Sequence, residues 1–209
     1  MVKNITKLTS LFPTPVWSGI VDDFETINPK LIKYIQKLRN ENPKGFQKSN
    51  SLGWHSDNFN LNDEEPKAFL NGAKLIIKKA IDDMQWDLEN LISRVTNMWS
   101  IVNPKNSSNL RHIHPNCFLS SAYYIKAPKN CGNLIFHDPR SAATYRTAKT
   151  TKINELNNDE YTIIPQEGLL VLFPSYLHHS VGINGSNEDR IIISFNIDLI
   201  EKNKNLSEK

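Results

Sequence analysis

The order of hydrophobic and polar residues divides the chain into an N-terminal part with helical periodicity and a C-terminal part with strand-like segments. A first helix is predicted over residues 28–43, where Asn28 and Pro29 supply a cap and a first-turn proline. A longer helix is predicted over residues 64–92, because apolar residues recur there at helical spacing. Each helix is expected to lay its apolar face on a sheet.

Two segments of the N-terminal part do not fit a helix. Residues 11–17 contain two prolines one residue apart, which prevent a helix and predict an extended arm or edge strand. Residues 44–62 are polar and rich in Asn, and they predict a long loop. Because Trp54 and His55 lie inside this loop, we expect it to cover a binding site as a lid or to contact substrate.

From about residue 95 onward, short β-branched or aromatic segments alternate with clusters of Pro, Gly, Asn and Asp. Strands are predicted over residues 95–102, 118–125, 133–137, 161–164, 169–173 and 190–197. No helical segment lies between them, so they cannot form βαβ units and should close as an antiparallel sandwich or barrel. The fold class is therefore mostly β, of the α+β kind.

The length of the chain favours one domain over residues 1–200. Within it, residues 1–94 would supply the arm and the supporting helices, and residues 95–200 would form the β-core. Residues 201–209 have the composition of a solvated tail.

Composition and charge narrow the range of functions. Of the 209 residues, 39% are hydrophobic and 22% are charged, as in ordinary globular proteins. The net charge of +3 is spread along the chain, so no basic patch predicts binding to nucleic acid. No apolar stretch approaches the roughly 20 residues of a membrane span, and residues 1–17 lack the apolar core of a signal peptide. Two cysteines are too few for a disulfide framework, which favours reduced thiols in the cytoplasm.

Histidines supply the candidate chemistry. His112 and His114 are two residues apart, so in extended chain their imidazoles project from one face and could bind one ion. Without a third ligand they would be ordinary loop histidines, and His179 is the best candidate for that ligand. If the chain turns at residues 184–185, His179 and Arg190 lie opposite each other with Cβ atoms ~5 Å apart. An arginine beside a metal-binding histidine is favourable when a carboxylate lies between them, although Arg190 could also form only a local ion pair.

Several motifs of the chain resemble those of the iron(II)/2-oxoglutarate-dependent oxygenases. The similarity covers nearly the whole chain and is carried by residues 12–16, 53–56, 112–114, 118–124, 132–140, 168–179 and 190–196. It is greatest for a small branch of these enzymes found in bacteria and marine phages. A protein of this branch would act in the bacterial cytoplasm, or in the host cytoplasm if a phage encodes it.

The resemblance implies a double-stranded β-helix, the jelly roll that cupins share, with the N-terminal helices packed on the major sheet. His112 matches the first metal ligand of the family and His179 the distal ligand. Arg190 matches the basic residue that pairs with the far carboxylate of 2-oxoglutarate. Tyr124 is a plausible contact to the same co-substrate, or else a core aromatic residue. The implied cofactors are Fe(II), 2-oxoglutarate and O2.

One position departs from the family pattern. Where the family has Asp or Glu, this chain has His114, so the usual set of two histidines and one carboxylate is not spelled out. Either three imidazoles bind the metal, or a carboxylate comes from elsewhere, with Asp138 as the candidate. Asp138 also fits the first position of a turn before Pro139. We favour three histidines, because imidazole is a competent ligand for iron.

The resemblance implies a dioxygenase that couples decarboxylation of 2-oxoglutarate to succinate with hydroxylation of a substrate. The substrate is a small molecule or a peptidyl side chain, and neither a nucleic acid nor a membrane partner is expected. One alternative is a cupin-like metalloenzyme without a keto acid, in which Arg190 would be dispensable. Another is a jelly roll that only binds or assembles, since fold does not fix function. The sequence does not predict the oligomeric state.

Overall fold

A computed structural model describes residues 6–145 and 147–202. Within them the chain forms two helices and eleven strands. In chain order they are β1 (Trp17–Ile20), α1 (Phe24–Glu41), β2 (Asn50–Ser51), β3 (Trp54–His55), α2 (Glu64–Met84), β4 (Leu91–Asn103), β5 (Ser108–His112), β6 (Leu119–Lys126), β7 (Leu134–His137), β8 (Glu160–Ile163), β9 (Leu169–Pro174), β10 (His179–Val181) and β11 (Arg190–Glu201). None of these helices is both long enough and apolar enough to cross a membrane.

The strands form two antiparallel sheets, which confirms the predicted mostly β fold class. The six-stranded sheet has the order β1-β9-β6-β11-β4-β3, and the five-stranded sheet has the order β2-β5-β10-β7-β8. The chain changes sheets from β9 to β10 and again from β10 to β11. Strand β10 lies in the five-stranded sheet, whereas its neighbours in sequence, β9 and β11, lie in the six-stranded sheet. An edge strand, β1, pairs with β9, but of residues 11–17, for which an extended arm or edge strand was predicted, it includes only Trp17.

The two helices pack on the six-stranded sheet, as expected. Phe69 of α2 contacts Tyr123 of β6 and Phe195 of β11, with ring centroids 4.5 Å and 5.9 Å apart. Asn28 of α1 is buried, donates a hydrogen bond to the carbonyl oxygen of Ile125 and accepts one from the Tyr123 hydroxyl. These contacts anchor the helical layer to the outer face of that sheet.

The predicted helix boundaries were wrong at one end of each helix. The first helix begins at Phe24, so Asn28 is not its cap but an interior residue whose amide is bonded to β6. The second helix ends at Met84, where Gln85 takes a left-handed conformation with φ of 49°. The apolar residues at 91 and 92 open β4 instead, because periodicity alone does not separate a short apolar strand from a helical continuation.

The structure also corrects what was predicted for the 44–62 loop, for the strands around His179 and for the C-terminal tail. The 44–62 loop contains the short strands β2 and β3, and β5 and β10 were not predicted. The hairpin that would place His179 opposite Arg190 does not form, because β10 and β11 belong to different sheets. His179 pairs instead with His112 and Phe136. Of the predicted tail, Glu201 ends β11, and residues 203–209 lie outside the described residues.

Candidate metal centre

Three histidines converge at one end of the space between the two sheets. His112 ends β5 and His179 begins β10, and the two residues are paired across these antiparallel strands. His114 follows two residues after β5, and its Nε2 atom lies 3.3 Å from Nε2 of His112. One potential ligand atom from each of the three lies within 4.8 Å of the others. In the part of the chain that the structure describes, this is the one such group of three or more His, Cys, Asp or Glu side chains.

The hydrogen bonds of the three rings fix which nitrogen is free. The Nδ1 atom of His112 lies 2.6 Å from the Leu110 carbonyl oxygen, and that of His179 lies 3.0 Å from the Leu177 carbonyl oxygen. Carbonyl oxygens only accept hydrogen bonds, so each Nδ1 carries the hydrogen. The Nε2 atom of each ring then carries a lone pair that can bind a metal. Nε2 of His112 also lies 3.3 Å from the Ser49 hydroxyl, which can donate a hydrogen bond to it.

The third ring is held by a side chain rather than by the backbone. Nδ1 of His114 lies 3.0 Å from Oδ1 of Asn196, which also accepts a hydrogen bond of 2.9 Å from the Ser120 hydroxyl. An amide oxygen that already accepts from Ser120 is the acceptor for His114 as well. The same tautomer, with a free Nε2, therefore results for all three histidines.

Burial keeps the three imidazoles uncharged. It lowers the pKa of His114 to about 4 and that of His179 to about 3, and it also lowers the pKa of His112. The neighbouring imidazoles reinforce the effect on His114 and His179, because two nearby positive charges repel. At neutral pH the cluster is a set of three neutral nitrogen donors, the form that metal binding requires.

The histidine cluster opens into a cavity of about 770 Å³ between the sheets. Aromatic rings form part of its wall. The ring of Trp99 stacks on that of His55, with ring centroids 5.8 Å apart, and lies beside that of His114, with ring centroids 5.5 Å apart. Polar side chains of Asn58 and Asn97 complete the lining near these rings. The cavity therefore offers both apolar surface and hydrogen-bonding groups next to the candidate metal position.

The two residues proposed for a lid lie in different places. His55 of β3 lines the cavity. Trp54 is 5% exposed, packs in the core beneath the helices and donates a hydrogen bond of 2.9 Å from its indole to the Asn42 carbonyl oxygen. Trp54 does not line the cavity, so of the pair it is His55 that can reach a bound molecule.

Arg190 begins β11, six residues before the Asn196 that contacts His114, and is not itself among the residues that line the cavity. Residues 192, 194 and 196 line the cavity, and strand alternation places Arg190 on the same face. The side chain is 1% exposed, and its Nη1 atom donates to the carbonyl oxygens of Cys131, Gly132 and Gly182. Its Nε and Nη2 atoms are buried and have no partner among the described residues.

Glycine at position 132 allows this arrangement. Gly132 has a φ of 86°, and a Cβ atom there would lie 2.1 Å from the Gly182 oxygen and 2.9 Å from Arg190 Nη1. Any larger residue would therefore displace either the backbone or the guanidinium. Tyr124 is fully buried nearby, and the Arg190 charge opposes the increase that burial causes in the pKa of its hydroxyl.

The structure does not bring Asp138 to the three histidines. Its carboxylate is bonded to Arg140, with distances of 3.0 Å to Nε and 2.7 Å to Nη2, and the guanidinium lowers the pKa of the carboxyl. Asp138 also accepts a hydrogen bond from the Arg140 backbone, as expected for the first residue of a turn. Of the two candidate sets, the structure brings together the three histidines, which could hold a metal ion.

Two supporting features were not predicted from the sequence. Asn196 orients His114, and the carbonyl oxygens at 131, 132 and 182 hold Arg190. Asn196 shares the alternation of Arg190 along β11, which marks it as facing the interior. Nothing in the local sequence marks the three carbonyl groups, because they come from two separate loops.

Comparisons with known proteins support the resemblance seen in the sequence. Residues 97–196 match a family described as "Putative 2OG-Fe(II) oxygenase". No curated protein matches the chain.

Solved structures match the fold. A prolyl-4-hydroxylase from Pseudomonas putida is 12% identical, with a TM-score of 0.61 over 88% of this chain and 92% of that chain. HygX from Streptomyces hygroscopicus, solved with nickel and 2-oxoglutarate, is 9% identical, with a TM-score of 0.60 over 88% and 83%. A prolyl hydroxylase from Trichoplax adhaerens is 15% identical, with a TM-score of 0.58 over 87% and 83%. These structures confirm the double-stranded β-helix, and the family match over residues 97–196 confirms the resemblance seen in the sequence.

Proposed function

Because its β-core resembles the 2OG-Fe(II) oxygenases in sequence and in fold, we propose that this protein is an Fe(II)- and 2-oxoglutarate-dependent dioxygenase that hydroxylates its substrate. One observation carries the proposal. Three imidazoles with unprotonated Nε2 atoms meet at a cavity, and a buried arginine with two unpartnered donors lies on the strand face that lines this cavity.

The donor set fits a divalent iron ion. Imidazole suits iron among several transition metals, and three protein donors would leave room on the ion for a co-substrate. His112 and His179 would hold the ion through rings fixed by backbone carbonyl groups, and His114 through a ring fixed by Asn196. This arrangement keeps the donors in place before the metal arrives.

Arg190 fits the far carboxylate of a keto acid. With Nη1 bonded to three carbonyl oxygens, the free edge of the guanidinium presents Nε and Nη2, the pair that binds a carboxylate in a bidentate manner. A carboxylate there would satisfy two buried donors that otherwise have no partner. Tyr124, buried beside Arg190, would contact the same group.

When bound, iron and 2-oxoglutarate would supply the oxidising chemistry, with succinate and carbon dioxide as co-products of substrate hydroxylation. The residues of the chain would bind and orient the iron and the 2-oxoglutarate and shield them from water. Trp99 and Phe173 exclude water beside the ligands, and His55 faces the space that a substrate would occupy. We propose a small molecule or a peptidyl side chain as the substrate, and the cytoplasm as the site of action.

Anaerobic titration with Fe(II) and then 2-oxoglutarate tests the proposal. The wild-type protein should develop a weak visible charge-transfer band only when both are present. Arg190→Ala should need much more 2-oxoglutarate, whereas the control Arg39→Ala, which removes a surface guanidinium paired with Asp189, should behave as wild type. Metal binding without a band would contradict the proposal and favour a metalloenzyme without a keto acid. Absence of metal binding would favour a binding or assembly protein.

A further inference from the structure

The charges buried in this protein are unbalanced. The buried residues of the described chain include Arg190 but no Asp or Glu. Asp57 is the acidic residue that lines the cavity, and it is exposed to solvent. Asp138, whose side chain is 8% exposed, is paired with Arg140. A buried charge without a counter-charge is strongly unfavourable, so the interior favours an anion from outside the chain.

The metal ligands do not supply that negative charge. His112, His114 and His179 are neutral, and the groups that accept from their Nδ1 atoms are two backbone carbonyls and the amide of Asn196. A bound divalent ion would therefore keep two positive charges, and the buried Arg190, on the strand face that lines the cavity with residues 192, 194 and 196, adds a third. A carboxylate in place of His114 would remove one of these charges. Lys48 and Arg111 also line the cavity, but both are exposed to solvent, which screens their charges.

We infer that the site binds its divalent ion and a dianionic keto acid as a charge-coupled pair, and that His114 sets the strength of this coupling. The inference rests on the proposed function. One carboxylate of 2-oxoglutarate would offset the charge of the ion, and the other would neutralise Arg190, whose charge otherwise opposes the ion. By linkage, the keto acid raises the affinity for the metal by the same factor as the metal raises the affinity for the keto acid.

The coupling has a consequence for metal content. Three neutral ligands hold a hard divalent ion less firmly than a set that includes a carboxylate, since charge attraction is missing. The amount of metal bound to this protein then follows the concentration of 2-oxoglutarate. A site with the usual two histidines and one carboxylate would retain its metal in the absence of the keto acid.

Equilibrium binding of Mn²⁺ at pH 7.5 measures the coupling without any catalytic turnover. The free ion is counted by electron paramagnetic resonance, with and without saturating 2-oxoglutarate, after correction for Mn²⁺ bound by the keto acid in buffer. In the wild-type protein we expect 2-oxoglutarate to tighten Mn²⁺ binding by about tenfold or more. In His114→Asp we expect tighter Mn²⁺ binding alone and a coupling factor several times smaller. The control His178→Gln alters a histidine outside the ligand group and should keep the wild-type factor.

A second measurement needs no variant. Pyruvate carries the same chelating end as 2-oxoglutarate but lacks the carboxylate that would reach Arg190, so its coupling factor in the wild-type protein should be smaller. Equal factors for the two keto acids, or equal factors in wild type and His114→Asp, would overturn the inference. If the coupling factor is near one although 2-oxoglutarate binds to the Mn²⁺-loaded protein, the inference is overturned but the proposed function is not. Failure of 2-oxoglutarate to bind at all would overturn the proposed function as well.

Discussion

His112 and His179 are paired across two antiparallel strands, and each bonds its Nδ1 atom to the carbonyl oxygen two residues earlier in its own chain segment. The backbone of β5 and of the turn before β10 therefore fixes both rings. His114 depends on a side chain, Asn196 of β11, which belongs to the opposite sheet. The three candidate ligands thus lie in or directly after strands of the five-stranded sheet, and the orientation of His114 depends on how that sheet packs on the six-stranded sheet.

Removal of one backbone-fixed ligand should nearly abolish metal binding. We expect His179→Ala to lower the affinity for Mn²⁺ or Zn²⁺ by about a hundredfold or more, because two imidazoles seldom hold an ion and structural and catalytic sites use three or four protein ligands. Isothermal titration calorimetry measures the change. His137→Gln, on the neighbouring strand β7 but outside the ligand group, is the control. Equal affinities in the wild-type protein and His179→Ala would rule out the three-histidine site.

Asn196 should contribute to metal affinity without touching the metal. Asn196→Ala removes the acceptor of the His114 Nδ1–H, so the ring loses its orientation and the affinity should fall about 10- to 100-fold. Asn196→Asp retains an oxygen acceptor and should keep most of the affinity. Ser194→Ala, on the same face of β11, is the matched control. If Asn196→Ala binds metal as the wild type does, Asn196 has no positioning role.

Gly132→Ala should weaken binding of 2-oxoglutarate and leave metal binding intact. The added methyl group would meet the Gly182 oxygen and Arg190 Nη1, so either the Gly182 backbone or the guanidinium bonded to it must shift, and both shifts change how the guanidinium is held. We expect an increase of about tenfold or more in the dissociation constant for 2-oxoglutarate, as each 1.4 kcal/mol lost is tenfold. Titration of the Mn²⁺-loaded protein with 2-oxoglutarate gives this constant. Gly185→Ala, where a Cβ meets no atom closer than 3.5 Å, is the control. An unchanged dissociation constant for 2-oxoglutarate in Gly132→Ala would show that the placement of Arg190 does not depend on glycine at position 132.

Acid should destabilise the metal-free protein. The pKa values of about 4 for His114 and about 3 for His179 lie below the ordinary value of about 6.5 in an unfolded chain. Below about pH 6.5 the unfolded state therefore binds more protons than the folded state, and the free energy of unfolding falls. The decrease reaches at most about 1.4 kcal/mol per pH unit for each histidine and continues until the folded pKa is passed.

Urea unfolding of the chelator-treated protein between pH 7.5 and pH 4.5 measures this decrease. In His179→Asn the free energy of unfolding should depend less steeply on pH, because one buried histidine no longer titrates. Equal slopes in this variant and the wild type would show that His179 is not held in its neutral form by burial.

Trp54 and His55 should differ sharply in their effect on stability. Trp54→Ala leaves a cavity in the helix-facing core and removes one of the two hydrogen bonds that the Asn42 carbonyl accepts, so the free energy of unfolding should fall by about 3–5 kcal/mol. His55→Ala removes a ring that lines the open cavity and should cost less than half of that. Chemical denaturation measures both variants. Similar losses would contradict the assignment of Trp54 to the core and His55 to the cavity.

The local sequence predicted most strand segments and the presence of both helices, because hydrophobic periodicity reflects which face of an element is buried. It failed at α1 and at the end of α2. The Asn28 amide donates a hydrogen bond to the sheet. Leu91 and Ile92 pair with β11 instead of continuing α2. These outcomes depend on partners far along the chain, which propensity does not include.

By itself, the sequence determined the mostly β class, the two histidines that share one face, and the resemblance that singled out His179 and Arg190. The tertiary structure decided how these residues meet. It placed β10 and β11 in different sheets, so Arg190 approaches Gly182 instead of His179, and it brought Asn196 to His114 while leaving Asp138 with Arg140. The physical reason is that alternation along one strand fixes only the face on which a side chain lies. The partner across the cavity is set by the pairing and packing of distant strands.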